Sequence, residues 1–175
     1  MDIPDDVTFD DAIALTQSLM TQLSSGELSQ VDAAGAIAQL VKTTNGARGF
    51  FVTYLTADNS LADTPSPEVI QALQSSPDTV AELLVKNLAM SAAMAITHRR
   101  NQNEDLAQGS DRVRIRTIHL IEQINLPQVQ EKVVALRESA ITGEGEYKAF
   151  LERWQYDAQQ REIIRHTLDR VIVEG

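Results

Sequence analysis

The chain has no cysteine, which excludes disulfides, thiolate nucleophiles and cysteine-ligated zinc or iron–sulfur centres. Histidine is nearly as scarce: His98, His119 and His166 complete the set. None belongs to a His-Glu-x-x-His zinc motif. Glu162 precedes His166 by four residues, whereas di-iron bundles use Glu-x-x-His spacing. No metal and no cofactor is therefore expected. The sequence also has no phosphate-binding P-loop, no dinucleotide fingerprint and no Gly-x-Ser-x-Gly elbow.

Positive charge is missing from the first part of the chain. Seven acids (Asp2, Asp5, Asp6, Asp10, Asp11, Glu27, Asp32) precede the first base, Lys42, so that segment carries a charge of −7. The net charge of −10 argues against a general nucleic-acid binder, which needs cations to replace the phosphate counterions. The acidic end either suits a basic partner or simply keeps the protein in solution. Long apolar runs are absent too. The uncharged run after Lys86 is about 11 residues, and a membrane span needs about 20. Residues 1–20 lack the basic start and apolar stretch of a secretory signal. A cytoplasmic location without a membrane span is the expectation.

Hydrophobic residues nevertheless make up 43% of the 175 residues, enough to build a core. The organising stretch is residues 77–99. Ser76 can cap it, Pro77 suits the first helical position, and Asp78 places negative charge at the positive end of the helix dipole. His98, Arg99 and Arg100 stand at the other end. Residues 88–97 are apolar or small in nearly every direction around a helix, and such a helix is normally buried. The prediction is one compact all-α domain of about seven or eight helices around this central helix.

Residues 1–7 read as a flexible arm. Residues 8–45 read as a helical hairpin packed on the rest. Its first helix covers 9–23, with Ile13, Leu15, Leu19, Met20 and Leu23 inward. Its second runs from 29 to 42, with Val31, Ala34, Ile37, Ala38 and Val41 inward. Residues 43–46 mark a break. The segment 47–57 has strand-like composition, but Phe50, Phe51, Tyr54 and Leu55 recur at helical spacing, so helix is preferred. A short helix follows at 67–74. The polar stretch 101–109 reads as a loop, 110–124 and 127–140 as helices, the latter with Val129, Val133, Val134 and Leu136 inward. Residues 146–173 read as helix, continuous or broken near 154–159.

Three local features invite a functional reading. Asn45-Gly46-Ala47-Arg48-Gly49 can receive an anion at a helix start, but the simpler reading is that its glycines permit a turn. Phe50, Phe51, Tyr54, Phe150, Trp154 and Tyr156 can line a pigment or lipid pocket, although core packing is the plainer use of so few aromatics. Arg99 and Arg100, with Arg112, Arg114 and Arg116, form a basic cluster. A helical hairpin brings them to one end, with Arg112, Arg116 and His119 along one face. Arginine forks match carboxylates and phosphates, so Arg99, Arg100, Arg112, Arg116 and His119 are the candidate anion-binding residues, with His119 as a proton carrier. The competing expectation is that these arginines pair with the chain's own surplus acids.

Two functions follow as expectations. The first is a non-catalytic protein-interaction or regulatory module that binds a protein partner or self-associates, as in a homodimer. The second is a binding protein or enzyme for a small phosphorylated or carboxylated ligand held by the arginine cluster.

Overall fold

Thr8, Ser29, Thr43 and Ser66 each turn an extended residue into a helix start. In each case the hydroxyl accepts the N–H three residues on. In the computed structural model, which describes residues 1–173, these caps open α1 (Phe9–Ser25), α2 (Gln30–Leu40), α3 (Thr44–Thr56) and α4 (Pro67–Gln74). They are followed by α5 (Pro77–Arg100), α6 (Glu104–Ile124), α7 (Pro127–Thr142), α8 (Lys148–Arg153) and α9 (Ala158–Asp169). The fold is all-helical, with nine helices and no strand among the described residues.

The contacts divide into two compact units that meet within α5, after Leu83. In the first unit α1 lies chiefly against α3, and α2 against α4. The two N-terminal helices do touch each other, but each has a second, larger partner. Their core holds Leu19, Ile37, Leu40, Phe50, Phe51 and Leu73, all essentially without solvent exposure. Phe50 stacks on Tyr54 at 5.0 Å between ring centroids and meets Phe51 edge-on at 5.2 Å. Segment 47–57 is thus helix, and its aromatics are core. Val7 is buried and its N–H reaches the Pro4 carbonyl, so the chain is already folded ahead of α1.

The Gly46–Gly49 motif serves close packing. A Cβ on Gly46 would stand 2.1 Å from the Leu40 carbonyl oxygen, and one on Gly49 would stand 2.4 Å from the Ala12 Cβ. Gly46 lets α2 turn into α3, and Gly49 lets α3 cross α1 at touching distance. Because Thr43 caps α3, residues 44–46 belong to that helix rather than to a break.

In the second unit α7 packs on α9 and on α8. Leu84, Val85, Leu88, Ala89, Ala92 and Ala93 of α5 are fully or almost fully buried, as the central-helix reading requires. By length and composition α5 could cross a membrane, yet 56% of its most apolar window is buried inside the protein, the pattern of a core helix. Several expectations change here. Residues 104–109 are helical, because Asn103 caps α6 with Glu104 and Asp105 in its first turn. The helix therefore begins well before Ser110. The C-terminal segment, expected to be continuous or broken near 154–159, takes the broken form: Gln155 has a positive φ of 54° and Asp157 opens α9 with a reciprocal capping box to Gln160. Val31 and Val134, expected inward, are 69% and 52% exposed. The expected Ile37 on α2 and Val129, Val133 and Leu136 on α7 are buried, joined by the small residues Ala33, Ala36, Ser139 and Ala140.

Candidate functional site

The arginines at the α5–α6 junction come together, but they meet acids. Arg99 donates to Asp111 at 2.7 Å and to Glu104 at 3.2 Å. Arg114 approaches Asp111 at 3.5 Å. Arg100 donates to Asp157 at 2.5 Å and to Gln159 at 2.6 Å, which ties the end of α5 to the start of α9. The Asp111 and Glu104 contacts raise the affinity of Arg99 for its proton, and the Arg100 hydrogen bond holds the Asp157 carboxyl below the usual carboxylate range. Along α6 the predicted face is uneven: Arg112 and His119 are exposed, whereas Arg116 is only 2% exposed. The cluster is thus a network of ion pairs around the α5–α6 turn, with Arg116 carried into the interior.

A second collection of charge lies between the end of α7 and α9, where sequence reasoning did not look. A cleft of about 520 Å³ is lined by Ile141 and Gly143 on one side and Ala158, Arg161, Glu162 and Arg165 on the other. Helical spacing puts Arg161, Glu162, Arg165 and Asp169 on one face of α9. Arg165 donates to Glu162 at 2.5 Å and to Asp169 at 3.1 Å, Arg137 of α7 pairs with Asp169, and His166 meets Glu162 at 3.0 Å. Arg165 holds the Glu162 carboxyl below its ordinary range. The readable signal is Arg161-Glu162-x-x-Arg165-His166, in which Arg165 and His166 stand three and four residues after the acid they share and Arg161 stands one turn before Arg165. The sequence reading took only the Glu162–His166 pair from it, as a question about metals. Among the described residues no group of three or more potential ligands could hold a metal ion.

The chain matches one family over residues 8–171, nearly its whole length. It belongs to that family, described as uncharacterised conserved protein UCP020893. No curated protein and no solved structure matches it.

Proposed function

We propose that the chain is a soluble, cytoplasmic, non-catalytic helical module that binds a protein partner or a second copy of itself through a surface centred on Trp154. The observation that carries this reading is the placement of the chain's one tryptophan. Trp154 stands 46% exposed on the turn between α8 and α9, and the Arg153 guanidinium lies 5.6 Å from its ring centroid. Burying such a ring on folding is strongly favourable, so leaving it in water suits a contact made later. Tryptophan and arginine are also the residues that most often dominate binding hot spots. The acidic first 41 residues suit a partner with a basic surface.

The ligand-binding alternative at Arg99, Arg100, Arg112, Arg116 and His119 has less support. An anion arriving there competes with Asp111 and Glu104 for Arg99 and with Asp157 for Arg100.

The test pairs affinity capture from the native cell with sedimentation velocity, using the wild-type chain and Trp154→Ala. A protein or a second copy that the wild type retains and the variant loses supports the reading. Identical captured sets, with both chains monomeric at every concentration, overturn it.

A further inference from the structure

The cleft between α7 and α9 contains a cation without a counter-charge. In a protein with 25 acids and 15 bases, an arginine beside acidic neighbours should find a carboxylate. Arg165 and Arg137 do. Arg161 makes no ion pair or side-chain hydrogen bond among the described residues, and its Nε is buried without an acceptor. A buried donor left unmatched is costly. Gly143 lies against Arg161, so that a Cβ there would come within 3.2 Å of one terminal guanidinium nitrogen. Gly143 thus leaves the space that the guanidinium fills.

The charge around the cleft is unbalanced in the same sense. Arg137, Arg161 and Arg165 face two carboxylates, Glu162 and Asp169, and both carboxylates are already engaged by Arg137, Arg165 and His166. The surplus is one positive charge, and it sits on Arg161. The rest of the lining is Ala140, Ala158 and Ile141, the last 52% exposed, together with Gly143 and the hydroxyl-bearing Thr142. The volume of about 520 Å³ falls in the range of small-molecule sites.

We propose that this cleft binds a small organic anion, a carboxylate or phosphate on a short apolar body, with Arg161 as its charged anchor and Ile141 under its apolar part. The fork of guanidinium donors suits either oxyanion. The site is separate from the arginine cluster around α5 and α6 and does not depend on the Trp154 surface. The competing account gives Arg161 a purely structural role, as a positive charge near the C-terminal carbonyls of α7.

The experiment is an NMR titration that follows the Arg161 Nε–H and the Gly143 amide. The probes are benzoate, butyl phosphate, inorganic phosphate and, as a neutral control, benzyl alcohol. Benzoate or butyl phosphate should shift both signals, and benzyl alcohol should not. Arg161→Gln should weaken binding about tenfold or more while the fold is retained. Arg161→Lys keeps the charge but not the fork, so it also weakens binding and serves if the Gln variant fails to fold. Ile141→Ala should weaken butyl phosphate but not inorganic phosphate. Overturning results are no shift with any anion, equal binding in wild type and both Arg161 variants, or butyl phosphate binding no tighter than inorganic phosphate.

Discussion

Gly49 of α3 lies directly on Ala12 of α1: a methyl group on Gly49 would stand 2.4 Å from the Ala12 Cβ and 2.8 Å from the Phe9 carbonyl oxygen. Neither obstacle can swing aside, since one is the first atom of a buried side chain and the other is backbone. Gly49→Ala should therefore force α1 and α3 apart and destabilise the protein by about 2 kcal/mol or more. Gly35 and Gly109 are the contrasting cases. Both lie inside helices, and nothing stands within 4 Å of a Cβ at either. Gly35→Ala and Gly109→Ala should each stabilise by about 0.5–1 kcal/mol through helix propensity and a less flexible unfolded chain. Urea unfolding of the three variants would test the set. Gly49→Ala as stable as wild type would mean that the close crossing is not real.

These glycines show which information the sequence carried and which it did not. Helix-start chemistry is local, so the caps Thr8, Ser29 and Ser66, and Pro127 at the first position of α7, mark the starts of their helices from sequence alone. The buried α5 was legible for a similar reason, since a helix apolar all round has few places to go. Gly109 misled in the other direction. Glycine beside Asn101, Gln102 and Asn103 signals a loop, yet Asn103 is a cap and Gly109 is simply tolerated in α6. The candidate site was least legible. Charge spacing identified Arg99 and Arg100 as neighbours, but Asp157 and Gln159 come to Arg100 from 57 and 59 residues away. Ion pairs at that separation follow from tertiary packing, which no local pattern encodes. Arg161 escaped notice for the same reason: what distinguishes it is the acid it does not meet.

Gln160 is the main polar tie between α9 and α5. Its Nε2 donates to the Ala93 carbonyl at 3.0 Å and to Thr97 Oγ1 at 2.8 Å, and its Oε1 accepts the Asp157 N–H at 3.2 Å. The residue is only 5% exposed. Gln160→Leu removes all three bonds and should cost about 2–3 kcal/mol. Gln160→Glu keeps the acceptor for Asp157 but turns a carboxylate towards the Ala93 carbonyl, so it should be worse at neutral pH and partly recover on acidification, when the protonated acid can donate. Chemical unfolding of both variants at neutral and mildly acidic pH measures the difference. Equal stability of Gln160→Leu and wild type would remove Gln160 from this role.

Acid should loosen the start of α9. The Arg100 hydrogen bond, then the Gln160 backbone N–H, hold the Asp157 carboxyl below the usual aspartate range. A carboxyl with a lowered folded-state pKa stabilises the fold above its unfolded pKa, about 4, and that contribution is lost as the pH falls through the lower folded value. Asp157 and Arg100 are both about half exposed, so the effect should be small and should weaken in high salt. In Arg100→Met the Asp157 titration, followed by carboxyl NMR, should move up towards the ordinary aspartate value. Unchanged titration in that variant would show that the capping box alone sets the shift.

At the alkaline end the relevant group is Tyr156. Its ring packs edge-on against Phe150 at 6.3 Å, and its hydroxyl is buried with no hydrogen-bond partner. Burial pushes the phenol up to about 12, because the charged form would sit away from water. An unmatched buried hydroxyl contributes no compensating bond, so Tyr156→Phe should be neutral or stabilise by up to about 1 kcal/mol. The folded state also holds this proton more tightly than the unfolded chain, whose phenol titrates near 10. The resulting stability is complete below about pH 10 and is lost as the pH rises towards 12. The wild type should therefore lose stability between those values faster than Tyr156→Phe does, and the two unfolding curves should diverge only there. Parallel loss in both proteins would mean that the phenol is not desolvated in the fold, and a clearly less stable Phe variant at neutral pH would mean that the Tyr156 hydroxyl has an acceptor after all.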